Sequence, residues 1–138
     1  MKIEVANGEI IDKHTILVIK SERIKDPDQL KHVNKELKAL TQGVKHVYNA
    51  VDDPSRVHEL ERKLKKINEL LWDVEDELRV LESKREFGEE FINKARSVYF
   101  LNDERAALKK AVNVLTGSEL IEAKSYIDYA LRGSDSKE

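Results

Sequence analysis

From Val57 to Leu81 the apolar residues recur at alternating intervals of three and four: Val57, Leu60, Leu64, Ile67, Leu71, Val74, Leu78 and Leu81. A half-buried strand would alternate every second residue. This spacing instead keeps one seam on one side of an α-helix, in the heptad pattern of a coiled coil. At about 1.5 Å per residue the helix runs roughly 40 Å. A second run precedes it with the same rhythm, through Leu30, Val33, Leu37, Leu40, Val44 and Val47. Each run starts at an Asp-Pro pair, Asp26-Pro27 and Asp53-Pro54. Aspartate suits the capping position and proline the first helical one, and Gln29 completes a capping box. With a short connection around Asp52, the two helices are expected to form an antiparallel, coiled-coil-like hairpin.

The remaining elements follow from weaker signals. Asn7-Gly8 between Ile3/Val5 and Ile10 is a hairpin signal. However, the residues after it do not alternate, and Ile10, Leu17 and Ile24 recur every seven. Asn7 is therefore read as the cap of a first helix over about 8–25, with Glu9 in the turn that the macrodipole favours. Its middle, Ile16 to Ile19, is apolar all round and calls for packing among other helices. Residues 84–88 break the heptads. A fourth helix then runs over about 89–115, stopped by Gly117, and a fifth over about 118–131. The fold class expected is all-α, an antiparallel helical bundle in a single domain over 1–132, with a polar, disordered tail over 133–138.

Composition narrows the chemistry. The chain has no cysteine, which excludes disulfides, thiolate catalysis and cysteine-ligated zinc. A formal net charge of −2 leaves no electrostatic footprint for nucleic acid. The longest aliphatic run, Ile16 to Ile19, is far short of the ~20 residues that span a bilayer. Residues 1–6 do not read as a signal peptide. The expected location is cytoplasmic, without membrane insertion. No phosphate-cradling glycine loop, nucleophile elbow or Ser/His/Asp arrangement is present. The acidic run Glu69, Asp73, Glu75, Asp76, Glu77 invites a metal reading, yet no Glu-x-x-His pair exists for a di-iron site. Metal and cofactor are both expected to be absent.

Polar residues on apolar faces are the candidates for function. The fourth helix carries Phe91, Ala95, Val98 and later Val112 on one stripe, and between them Asn102 and Arg105, with Lys109 one turn on. A buried arginine is costly unless it is paired. Either carboxylates from other helices match it, fixing the register, or the group lines a cavity that receives an anionic ligand. On the first helix, Asp12 shares a face with Ile16, Ile19 and Arg23, while His14 interrupts another apolar line. His14 is read as a satisfied core histidine rather than a metal ligand. Trp72, Asp76 and Arg79 sit at helical spacing off the main seam, and Asp76 is within reach of Arg79 or Arg105. The candidate ligand set is therefore Arg105, Asn102, Lys109, Asp12 and Arg23, with Trp72 as a wall and Asp76 beside it. The basic stretch Arg56, Arg62, Lys63, Lys65, Lys66 precedes the acidic run on one helix. It either meets the acidic half of a second copy in an antiparallel dimer or forms ordinary coiled-coil flanks.

Several blocks together resemble a family of uncharacterised small helical domains from bacteria and phages. They are Gly8 to Lys13 with Thr15 to Lys20; Leu71 to Asp76; Ala95 to Tyr99 with Leu101 to Lys109; and Gly117 to Tyr126, the most specific of them. The family's genes occur alone or beside glycosyltransferase and surface-glycan genes, so the resemblance implies sugar or nucleotide-sugar chemistry by association. It carries no activity and no catalytic residues. Two functions are thus in play: a non-enzymatic interaction or accessory protein that self-associates or binds a partner, and a small-ligand protein or enzyme acting on an anionic sugar or nucleotide.

Overall fold

The computed structural model describes residues 3–118, and within them the chain forms α1 (Asn7–Arg23), α2 (Pro27–Asn49), α3 (Ser55–Ser83) and α4 (Glu89–Thr116), with no strand. This is an all-α bundle, as the spacing predicts. The expected fifth helix beyond Ser118 and the polar tail lie outside the described residues. No described helix is long and apolar enough to cross a membrane.

Local signals account for the helix limits. Asp26 accepts from the Gln29 N–H at 3.1 Å, and Pro27 opens α2, where its missing N–H costs nothing. At α3 the start lies one residue later than expected. Pro54 occupies the cap, Ser55 is the first helical residue, and Asp53 accepts the Ser55 N–H at 3.1 Å. That backbone hydrogen bond holds the Asp53 carboxyl below the usual carboxylate range. At the far end of α3, Arg85 takes a left-handed φ of 55°, and the Glu86 N–H donates to Leu81 O at 2.9 Å. An arginine thus fills a position that usually goes to glycine. Gly117, at φ 67°, ends α4 in the same way.

The start of α1 departs from expectation. Asn7 is the first helical residue rather than the cap, and Ala6 at the cap has no side chain to accept a bond. The exposed N–H groups are met instead from the end of α4. Gly8 N–H donates to Asn113 Oδ1 at 2.7 Å, and Asn7 N–H donates to Ser118 Oγ at 3.2 Å. The Asn7 amide donates to Thr116 Oγ1 at 2.9 Å. This requires close contact between the helices: a Cβ on Gly8 would lie 2.3 Å from Lys109 O. The Asn-Gly pair therefore serves a helix-to-helix approach and not a turn.

α1 occupies the centre. It packs against α2, α3 and α4, which explains its all-round apolar run; Ile11, Leu17 and Ile19 are buried on it. α3 and α4 make the most extensive pair. The expected hairpin of the second and third helices is corrected in this respect. α2 and α3 meet at their shared turn, where Val47 and Val57 join one core cluster with Ile11, Leu60, Leu64 and Val112. Away from the turn, α2 lies along α1, and the α3 seam packs onto α1 and α4. A heptad seam identifies a buried face and leaves its partner open, and α1 is apolar enough to take it. Arg23, the last residue of α1, reaches Asp73 and Trp72. Past that level α3 and α4 continue together to their turn, roughly 15 Å at helical rise.

The two helical glycines should respond oppositely to alanine. Gly8→Ala drives a methyl group into the α4 backbone and is expected to cost about 2–3 kcal/mol. Gly43→Ala meets only Ile10 side-chain atoms at ordinary distance, 3.5 Å and 3.7 Å. There the gain in helix propensity should raise stability by up to about 1 kcal/mol. Urea unfolding midpoints of the two variants check both signs.

Candidate functional site

The polar residues that interrupt the apolar faces converge where α1, α3 and α4 meet. Asp12 is buried on α1, and Arg105 from α4 grips it with both ends of its guanidinium: Nε donates to Oδ1 at 3.0 Å and Nη2 to Oδ2 at 2.6 Å. Asn68, buried on α3, donates through Nδ2 to Asp12 Oδ1 at 2.9 Å and to Thr15 Oγ1 at 2.8 Å. Thr15 Oγ1 in turn donates to its own helix at Asp12 O, 2.7 Å. Three helices thus share one carboxylate, in a fork geometry that lysine could not reproduce. Among the described residues, no buried side-chain nitrogen or oxygen lacks a hydrogen-bond partner. Asp12 is thus a carboxylate that meets Arg105, while Asp76 stands exposed on α3.

Arg105 is not sealed in; its side chain is 29% exposed and borders two clefts. One, of about 360 Å³, lies between α1, α2 and α4, with Glu9, Lys13, Lys20 and Arg105 above Ile10, Ile16 and Leu40. The other, of about 160 Å³, is walled by Trp72 and bordered by Asn68, Glu75, Asn102 and Arg105. Asn102 and Trp72 are thus brought beside Arg105. Lys109 lies one turn away and pairs with Glu9 at 2.9 Å. Arg23 sits at the other end of α1, stacked over Trp72 at 5.6 Å and paired with Asp73 at 2.6 Å.

A second polar cluster joins α1, α2 and α3 near the α2–α3 turn. Glu61 takes hydrogen bonds from Tyr48 and His14 on its two oxygens, and Tyr48 also contacts His58 Nδ1 at 3.2 Å. Burial pushes the Glu61 carboxyl up. The hydrogen bonds from His14 and Tyr48, with the nearby His14 and His58 imidazoles, outweigh it and hold the group below the usual carboxylate range. Burial pushes the Tyr48 phenol up, and the Glu61 carboxylate adds to the rise. His14 is thus a partnered histidine between helices.

Sequence reasoning missed Thr15, Asn68, Tyr48 and Glu61. For two of them a signal existed. Thr15 lies midway between Ile11 and Ile19, and Asn68 between Leu64 and Leu71, each at helical spacing along a buried line.

Two consequences can be measured. Arg105→Met leaves the Asp12 carboxylate buried without its cation and should lower stability by about 3–5 kcal/mol. Adding Asp12→Asn should recover much of that loss, a coupling that a double-mutant cycle of chemical denaturation reads directly. For Glu61, a folded value below the unfolded one, near ~4.3, means that its contribution is present above that pH. It is lost as the pH falls through the folded value. Glu61→Gln should therefore cost about 1–3 kcal/mol at neutral pH. The gap to the wild type should close in acid, as followed by denaturation midpoints across the acid limb.

The family model described as "Family of unknown function (DUF6165)" matches residues 1–136. No curated protein and no solved structure matches the chain. The match spans both polar clusters and all four helices, and the chain belongs to this family of unknown function.

Proposed function

We propose that this protein is a cytoplasmic, non-enzymatic interaction protein whose α3–α4 arm presents an apolar end to a protein partner. The observation that carries this reading is the distribution of exposed apolar side chains. Val80, Phe87 and Ile92 are each about half exposed and lie around the α3–α4 turn, beyond the end of α1. Tyr99 and Phe100 extend the exposed surface along α4. Isolated exposed apolar residues are ordinary, but a concentration at one end of a helical arm is how docking surfaces are built. The polar centre supports the same reading, since Asp12 and Arg105 satisfy each other and serve the packing of three helices.

The test compares wild-type protein with a Phe87→Ser/Ile92→Glu variant, both shown to be folded by circular dichroism. Proteins captured by the wild type are purified and their binding to each form measured. At least one is expected to bind the variant tenfold or more weakly, about 1.4 kcal/mol. If every captured protein binds both forms equally, the apolar end is not the docking surface and the reading falls.

One observation favours a second reading. The cleft of about 360 Å³ beside Arg105 falls within the small-molecule range, and Lys13, Lys20 and Arg105 place cations over an apolar floor. That chemistry suits an anionic sugar or nucleotide, with Asn102, Lys109 and Trp72 close by. The resemblance to small domains of bacteria and phages found beside glycosyltransferase and surface-glycan genes supports the same class. Lys20→Ala with Lys13→Ala would abolish such binding and leave the fold intact.

A further inference from the structure

The solvent-facing side of α3 carries a pattern that neither the bundle nor the apolar end explains. Arg62, Lys66, Leu70, Asp73, Glu77 and Val80 are all exposed and follow one another at three- and four-residue spacing. The stripe is basic before Leu70 and acidic after it. Within an isolated helix this arrangement is unfavourable twice over. Arg62 and Lys66 are like charges four residues apart, as are Asp73 and Glu77. Cations toward the N-terminus and anions toward the C-terminus also oppose the helix macrodipole. α3 accordingly has no acidic residue in its first turn and no basic residue in its last. Among the described residues, Arg62 and Lys66 form no ion pair within α3 or with another helix. Asp73 and Glu77 each hold one cation, Arg23 and Lys94, yet both side chains remain more than half exposed and have room for a second.

From this geometry we infer that the outer face of α3 is a self-complementary interface for a second copy of the chain. An antiparallel α3, with the two-fold axis between Glu69 and Leu70, sets Lys66 against Asp73 of the other copy. Arg62 then faces Glu77. The symmetry repeats each pair, and the two exposed Leu70 side chains pack beside the axis. The like-charge neighbours that repel within one helix become matched rows between two, as charged flanks do in a coiled coil. A parallel arrangement would oppose like charges along the whole stripe, so the charge order selects the antiparallel one. The apolar ends around Phe87 then stand at opposite tips of the dimer. This interface rests on charges on α3 and is independent of what those ends bind.

The experiment uses the full chain and two charge reversals. The acidic form is Arg62→Glu/Lys66→Glu, and the basic form is Asp73→Lys/Glu77→Lys. Sedimentation velocity at low ionic strength should show dimer for the wild type and a dimer dissociation constant raised tenfold or more for either form alone. An equimolar mixture should restore a dimer, since every reversed row then meets its complement. High salt should weaken all of these associations. In a chain without cysteine, Leu70→Cys should cross-link the wild-type background on oxidation, because the two residues flank the axis. A wild type that stays monomeric at low salt overturns the inference. So does a dimer that survives both reversals unchanged, and that result would leave the docking role of the apolar end standing. Circular dichroism shows that each form is folded, and the restored mixed dimer excludes misfolding as the cause of the loss.

Discussion

Arg105 and Asp12 form the contact on which the arrangement of the helices depends. A guanidinium and a carboxylate leaving water incur a desolvation cost that only close, two-point geometry offsets. Here that geometry comes from α4 and α1, and Asn68 on α3 completes it by donating to the same carboxylate and to Thr15. Apolar surfaces of helices can slide past each other by a turn at modest cost; a fork held on one carboxylate cannot. The core cluster around Ile11, Leu64 and Val112 supplies the driving force for association, and the polar centre chooses one register from those the apolar faces would accept.

The same division explains what could be read in advance. Helix limits and inward faces were legible because they are local: Asp26 caps, Gly117 ends a helix, and the α3 seam is buried from Val57 to Leu71. The partner of each face was not legible. Two heptad runs joined by a short link predict a hairpin, yet α1 competes for both, and its apolar run at Ile16 to Ile19 marks a helix that needs neighbours on every side. Asp12 and Arg105 each stood out as a charge on an apolar face. Their pairing spans 93 positions and leaves no local trace. Thr15 and Asn68 were hidden for a different reason: small neutral polar residues disturb a hydrophobic pattern too little to be noticed. Asp73 pairs with Arg23 from the neighbouring helix, a contact that depends on how α1 crosses α3 and that no local spacing announces.

The two polar clusters differ in what they tie together. The Asp12 centre joins α1 to the α3–α4 pair, while Glu61 joins α1 and α3 to the end of α2 through His14 and Tyr48. α2 otherwise shows solvent most of its length and lies on α1. The α3–α4 arm extends beyond α1, so the exposed apolar residues around its turn lie past the level that the polar centre holds together.

The capping of α1 has a consequence for how the chain is made. Its first N–H groups are satisfied by Asn113 and Ser118, more than a hundred positions downstream. A ribosome releases residues in order, so the first helix emerges long before the groups that complete it. Until α4 has been synthesised, α1 carries an open N-terminus and an uncovered apolar stretch around Ile16 to Ile19, with α2 as its earliest cover. The order of synthesis therefore leaves α1 without its α4 partners while α2 and α3 are made, and its final packing waits for α4.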